Sequence, residues 1–107
     1  MNRLAKGKRN ELAYKKLLEG RGFICYKPTW NKFSKMKDIW GLFDIIGTDG
    51  KTIIVAQVKS NRCPKSVIEQ IRLFKVPGCV KKVVAIKIDR HGWKELHVGD
   101  KVTERMK

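Results

Sequence analysis

The feature that most constrains the fold is a nearly continuous apolar run at residues 83–88, VVAIKI. A strand exposed on one face alternates apolar and polar residues, whereas a strand covered on both faces is apolar throughout. The run therefore predicts a central strand with structure packed on both of its faces. At 107 residues, the chain is long enough for one compact domain, 1–107, and too short for two.

Two segments show the apolar period of a helix. In the first, residues 8–19, Glu11 lies beside Leu18 at the edge of the apolar stripe and can therefore point inward. The second covers residues 64–76, and Pro64 suits its first turn. These helices would flank the sheet.

Short runs rich in β-branched residues predict five strands, at residues 23–27, 42–47, 52–59, 83–88 and 93–98. Asp49 and Gly50 form a strong signal for a two-residue hairpin loop, in which Asp44 would face Val55. The predicted fold class is α/β, a mixed β-sheet flanked by helices in the order α-β-β-β-α-β-β. A basic arm at residues 1–7 and a loose tail at residues 99–107 complete the domain.

The charge of the chain indicates its partner. There are 25 Lys and Arg against 10 Asp and Glu, a formal net charge of +15. Because basic side chains displace condensed counterions from phosphates, we expect a nucleic acid. A membrane surface also attracts basic chains, but no stretch approaches the roughly 20 apolar residues of a transmembrane helix, and no signal peptide opens the chain.

Several basic or polar residues are candidates for contacts with nucleic acid, because they lie in the arm, in the lysine-rich segment 29–41 or after the hairpin. They are Arg3, Lys6, Lys8, Arg9, Lys32, Lys35, Lys37, Ser60 and Arg62. The cysteines, Cys25, Cys63 and Cys79, are odd in number and include no C-x-x-C pair. This spacing fits neither a disulfide framework nor a zinc site, and it indicates reduced thiols in a cytoplasmic protein.

Three polar residues interrupt the apolar strands of the hairpin: Asp44, Gln57 and Lys59. Alternation of side chains places them on one face, with Gln57 diagonal to Asp44 at roughly 7–8 Å between backbones. A carboxylate and an amide oxygen are hard ligands that Mg²⁺ or Mn²⁺ accepts, and a nearby lysine can hold a phosphate. The alternative is an edge hairpin with one solvated polar face. Geometry alone leaves both open.

The stretch FDIIG…IIVAQVKSNR resembles the core of the PD-(D/E)XK nucleases, in which an acidic residue on one strand is followed across a hairpin by an acidic-x-Lys tripeptide. Asp44 matches the first acid and Lys59 the lysine. The stretch KGKRNELAYKKLLEGRGF resembles the first helix of archaeal Holliday junction resolvases, in which an inward glutamate completes the metal site. Glu11 occupies that position. The resemblance spans residues 7 to about 88.

This resemblance implies a restriction-endonuclease-like fold and a Mg²⁺-dependent endodeoxyribonuclease that acts as a homodimer on branched DNA such as four-way junctions. Its catalytic residues would be Glu11, Asp44, Gln57 and Lys59, and its metal ligands the first three. Two residues depart from the pattern: Phe43 replaces the usual proline, and Gln57 replaces the usual acid. Because an amide brings no charge, the second departure should weaken metal binding.

Other residues have less specific roles. Asp38 could join the site from its loop, although a solvated loop acid is the simpler interpretation. Nothing pairs His91 or His97 with a second catalytic group. Trp30 and Trp40 could stack on bases, or could equally be core or dimer contacts. Two alternatives to the nuclease remain: an inactive protein that binds DNA through its charge, and a basic RNA-binding protein of ribosomal type.

Overall fold

The computed structural model describes residues 3–28, 39–99 and 102–106, and their side chains except at 3–6, 105 and 106. In these ranges the chain forms two helices and six strands. Their bounds are α1 (Arg3–Gly20), β1 (Ile24–Tyr26), β2 (Ile45–Thr48), β3 (Ile53–Ser60), α2 (Lys65–Leu73), β4 (Val80–Ile88), β5 (Gly92–Val98) and β6 (Val102–Met106). None of the helices in this part of the chain is long and apolar enough to cross a membrane.

All six strands form one sheet in the order β1-β2-β3-β4-β5-β6. Strands β3 and β4 are parallel, with α2 as their connection, and every other neighbouring pair is antiparallel. This arrangement follows from connection length, because only a parallel pair needs a crossover element. The predicted fold class, a mixed α/β sheet flanked by helices, is confirmed.

The apolar run at residues 83–88 lies in β4, between β3 and β5. Val83 and Ala85 belong to the core beneath α1, whereas Val84 and Ile86 belong to the core on the other side, beneath α2. Burial on both faces explains why the strand lacks alternation. The prediction of a central strand there is confirmed.

Helix α1 is fixed to the sheet by a buried polar cluster. Tyr14 Oη donates a 2.6 Å hydrogen bond to Glu95 Oε2, and Arg21 donates two more to the same carboxylate, at 2.9 and 2.7 Å. Glu95 lies on β5, so the cluster joins α1 to a strand on the far side of β4. Because every buried polar group in it is satisfied, α1 is held in one position.

Two predictions about the chain ends are wrong. Residues 3–7, predicted as an arm, already belong to α1. Within the predicted loose tail 99–107, residues 102–106 form β6, which pairs with β5 in antiparallel register and contributes an ion pair between Glu104 and Lys94 at 3.0 Å. The segment VTERM has a weak apolar pattern, and it becomes a strand through hydrogen bonds to β5, which sequence periodicity does not report.

The predicted hairpin register is also wrong. Thr48 pairs with Ile53, so the loop has four residues, 49–52, and Val55 pairs with Ile46 instead of Asp44. The wider loop is closed by the Asp49 carboxylate, which accepts hydrogen bonds from the main-chain N–H groups of Lys51 and Thr52 at 2.9 and 2.8 Å. Such side-chain closure competes with the two-residue turn that Asp-Gly favours.

Candidate active site

Asp44 lies immediately before β2 and is bound to β3 at two points. Its main-chain N–H donates to the carbonyl of Ala56 at 2.8 Å, and its carboxylate Oδ2 accepts from the N–H of Val58 at 2.8 Å. The side chain thus takes the place of a backbone carbonyl in the ladder, so its orientation is fixed. Extending the register of β2 and β3 by one residue places Asp44 directly opposite Gln57.

Gln57 and Lys59 follow Val55 at two-residue steps along β3. Val55 is fully buried on the α2 side of the sheet, and alternation gives the other two the same side. Both are only half buried, because the sheet reaches its end beyond them. By this register Asp44, Gln57 and Lys59 lie on one side at the same end of β3, with Gln57 opposite Asp44 instead of diagonal to it.

Glu11 approaches this end of the sheet from α1. The residue before it, Asn10, is buried, and its Nδ2 donates to Ser60 Oγ at the end of β3 at 2.7 Å. Glu11 itself forms an ion pair with Lys27, just after β1, at 3.2 Å between Oε1 and Nζ. These two contacts bring Glu11 to the end of the sheet where Asp44 lies, on the face that α1 covers, whereas Gln57 and Lys59 are on the face that α2 covers.

The structure describes only some of the predicted contacts with nucleic acid. Lys8, Arg9 and Arg62 are exposed and accessible to a phosphate. Ser60 instead accepts the hydrogen bond from Asn10, so its hydroxyl helps to position α1. Other predicted residues lie outside the described side chains: Arg3, Lys6, Lys32, Lys35, Lys37, and with them Asp38 and Trp30. Of the histidines, His91 is exposed in a turn and His97 lies on β5.

Sequence reasoning missed Asn10 and Lys27. Asn10 was hidden within a helical pattern, and nothing in one sequence shows that its partner is 50 positions away. Lys27 could have been suspected as a site residue from its position directly before Pro28. The proline ring restricts the backbone of the residue that precedes it, so the direction of the lysine side chain is constrained. Its side chain is only 12% exposed, which for a lysine requires a partner, and that partner is Glu11.

The chemistry of the site is that of oxygen donors. Among the described residues, no three or more His, Cys, Asp or Glu side chains are grouped closely enough to hold a metal ion. The available donors at this end of the sheet are two carboxylates and the amide of Gln57, a set that suits a hard cation with water in its remaining positions. Burial raises the pKa of the nearby Cys63 thiol, which argues against a thiolate nucleophile.

Comparison of the sequence with known protein families and with curated proteins finds no match. The structure is similar to that of Hjc, a Holliday junction resolvase from the archaeal hyperthermophile Archaeoglobus fulgidus, with a TM-score of 0.63 and 21% sequence identity. The similarity covers 94% of this chain and 88% of that chain. At this identity the likeness establishes a shared fold over nearly the whole of both proteins.

Proposed function

We propose that the protein is a divalent-metal-dependent DNA endonuclease that cuts branched DNA, such as a four-way junction. The observation that carries the proposal is the grouping of Asp44, Gln57 and Lys59 at one end of β3, with Glu11 held by α1 at the same end of the sheet. A polar group of this kind at a sheet end is costly unless it is paired or used. The fold shared with a Holliday junction resolvase and the net charge of +15 support DNA as the substrate.

Asp44, Gln57 and Glu11 would hold one Mg²⁺ or Mn²⁺ ion. Bound there, the ion would polarise a phosphate and lower the pKa of an attacking water. Asp44 is the best-oriented donor, because the hydrogen bond from Val58 fixes its carboxylate. Gln57 contributes an oxygen without charge, and Glu11 is partly neutralised by Lys27. The set should therefore bind metal more weakly than a set of three carboxylates.

Lys59 would act on the phosphate. Its ammonium group lies two residues beyond Gln57 on the same side of β3, and it can stabilise the negative charge that develops on phosphate oxygens during hydrolysis. Exposed basic residues such as Lys8, Arg9 and Arg62 would bind neighbouring phosphates. A homodimer would present two such sites and could cut two strands symmetrically.

The test is a cleavage assay on four-way junctions, flaps and linear duplexes in Mg²⁺, in Mn²⁺ and in EDTA. We expect cleavage of branched DNA that requires the metal and is lost in Asp44→Asn. The matched control is Asp49→Asn, which removes the same charge from the turn at residues 49–52 and should cut like the parent. Equal cleavage by Asp44→Asn and the parent at saturating Mg²⁺ would contradict the proposal.

A second candidate is a DNA-binding protein without nuclease activity. The ion pair between Glu11 and Lys27 and the uncharged amide of Gln57 favour it, since both reduce the negative charge available to a cation. Metal-independent binding of junctions without cleavage would identify it. Comparing affinities for junction, duplex and RNA at matched salt separates both candidates from an RNA-binding protein.

DNA binding itself has a separate test in the salt dependence of affinity. Replacing Lys32, Lys35 and Lys37 with alanine should weaken binding to every DNA and reduce the slope of log K against log salt by about three units. The triple variant Lys16→Ala, Lys51→Ala and Lys65→Ala removes the same charge from exposed positions elsewhere. An unchanged slope in the first triple variant would show that DNA is bound elsewhere.

A further inference from the structure

Trp40 has a backbone conformation that its side chain disfavours. Its φ is 56° and that of the next residue, Gly41, is 70°, so two consecutive residues occupy the left-handed region. The turn is closed by hydrogen bonds in both directions between Ile39 and Phe43, at 2.7 and 3.0 Å. Glycine adopts this conformation without strain, whereas a bulky aromatic residue does not. Strain of this kind is concentrated at functional positions.

The indole ring of Trp40 is nevertheless held in a fixed orientation. Phe74 lies 5.3 Å away between ring centroids with an interplanar angle of 31°, and Phe43 meets the ring edge-on at 6.2 Å. Phe43 is fully buried, and the carbonyl of Phe74 accepts a 2.6 Å hydrogen bond from buried Lys82. Both supports of the ring thus pack in or against the core beneath α2.

Although two rings support it, Trp40 is 53% exposed. A tryptophan that serves only packing is mostly buried, because its large apolar area stabilises the fold only when it is removed from water. Here a strained turn holds an oriented ring with much of its surface in solvent. Because its orientation is already fixed, the ring can stack on a planar ligand with little loss of side-chain entropy.

We propose that Trp40 is a stacking platform for an unstacked nucleobase of the DNA, such as a branch point or a single-stranded end presents. Single-stranded sites combine an aromatic ring for the base with cations for its phosphates. Exposed Lys75 directly follows Phe74, and with Arg72 and Lys81 it lines a cavity of about 660 Å³. The platform also adjoins the candidate active site, since its support Phe43 directly precedes Asp44.

A nucleobase fits this position better than a second copy of the chain. Lys75, which directly follows the supporting residue Phe74, is exposed and lines a cavity with Arg72 and Lys81, so a second copy placed on this particular surface would bring like charges together. A nucleotide brings the opposite charge. Exposed Leu73, the last residue of α2, offers apolar area nearby without an aromatic face, and it serves as the comparison position.

The inference rests on the proposed binding of DNA but not on cleavage, so its test is equilibrium binding in EDTA. The probes are a fully paired duplex and the same duplex with a short single-stranded end that carries 2-aminopurine. Trp40→Leu should weaken binding of the single-stranded end roughly 5- to 150-fold, while affinity for the paired duplex stays within about twofold. Trp40→Phe should retain most of the affinity, and Leu73→Ala should match the parent.

Stacking also has a direct optical readout. The parent should quench the fluorescence of 2-aminopurine in the unpaired end, and Trp40→Leu should not, with equal salt slopes for both because no charge has changed. The quenching experiment on the parent needs no variant, so it remains decisive if Trp40→Leu fails to fold. The two proposals fail independently. If Trp40→Leu still cleaves DNA but has lost the preference for binding an unpaired end, the nuclease proposal is unaffected, and if the parent shows no metal-dependent cleavage, the stacking result is unaffected.

Three results would overturn the inference. The first is absence of quenching by the parent under conditions in which it binds the probe. The second is an equal loss of affinity for the paired and unpaired DNAs in Trp40→Leu. The third is a loss that accompanies dissociation of a dimer in light scattering, which would make a second copy the occupant of this surface.

Discussion

The main-chain N–H of Val58 donates a 2.8 Å hydrogen bond to the carboxylate of Asp44, 14 positions earlier in the chain. This bond ties the first residue of the candidate site to the strand that carries the other two, Gln57 and Lys59. It also separates two roles of Asp44 that a single substitution can distinguish. One role is to accept this hydrogen bond, which an amide oxygen can also do, and the other is to bring a negative charge to a cation.

Replacing Asp44 should therefore separate chemistry from stability. Asp44→Asn retains an acceptor for Val58 and should unfold within about 0.5 kcal/mol of the parent, whereas Asp44→Ala leaves that N–H without its acceptor and should lose about 1–2 kcal/mol. Both should lower cleavage at least about 100-fold, because metal binding depends on the charge. Junction affinity should stay equal or rise, since a group that repels phosphate has gone. Melting curves, gel-shift titrations and single-turnover rates measure the three quantities.

Lys59→Ala should cost cleavage more than affinity. A lysine that stabilises charge in the transition state affects the chemical step by about 100-fold or more, whereas a lysine that only binds phosphate contributes one of many ionic contacts. We expect the rate of cleavage at saturating DNA to fall by that factor and the Kd to rise less than about fivefold. The charge-matched control is Lys65→Ala, because Lys65 is exposed at the start of α2, and this variant should keep the parent's rate of cleavage. Equal effects on rate and Kd would make Lys59 a binding residue only.

The cluster of Tyr14, Arg21 and Glu95 predicts an acid-sensitive fold. Burial acts to raise the pKa of Glu95, but hydrogen bonds from Arg21 and Tyr14 outweigh it and hold the pKa below its ordinary value of 4.5. Burial raises the pKa of Tyr14, so its hydroxyl remains a donor. Because the carboxylate is favoured in the folded state, its stabilisation is present above the ordinary pKa and is lost as the pH falls through the folded pKa.

Glu95→Gln should consequently reduce the free energy of unfolding by about 2 kcal/mol at pH 7, and the difference from the parent should shrink as the pH falls below 4.5. Urea unfolding between pH 7 and pH 3 measures it. The control is Glu104→Gln, which removes a carboxylate that pairs with Lys94 near the surface. This substitution should change the free energy of unfolding by less than about 1 kcal/mol at any pH. A constant difference between Glu95→Gln and the parent across this range would show that the carboxylate charge is not what stabilises α1.

The sequence predicted the architecture well because its main signals are local periodicities. The apolar run of β4 and the stripe of α1 report burial directly, and both appear in the structure where they were expected. The prediction that Gln57 and Lys59 lie on the same side of the sheet depended only on the alternation of side chains along β3. The length of the turn at residues 49–52 does not affect that alternation. The register of Asp44 depended on the turn, and there the side chain of Asp49 closed a longer loop than the Asp-Gly pair suggests.

What the sequence could not predict depends on pairs that are distant in the chain. Strand β6 exists because β5 offers it an edge, and Lys27 matters because α1 brings Glu11 to it. Neither follows from periodicity, since each needs the position of a second element. The strained turn at Trp40 is similar, because only the backbone shows that the tryptophan, as well as Gly41, has the left-handed conformation.

Gln57→Glu is the most informative change at the site. Gln57 lies opposite Asp44 by register, so a glutamate there would add a second charge directly across from the first. A divalent ion should then bind more tightly, and the Mg²⁺ concentration for half-maximal cleavage should fall about tenfold, while without metal the two carboxylates should repel each other and lower stability slightly. Titrations of cleavage and of thermal melting against Mg²⁺ report both effects.

The control is Gln70→Glu, which adds the same charge at an exposed position on α2, away from the site, and should change neither the Mg²⁺ dependence of cleavage nor that of melting. If Gln57→Glu leaves the Mg²⁺ dependence of both cleavage and melting unchanged, the amide of Gln57 is not a metal ligand and the ion is held by carboxylates and water alone.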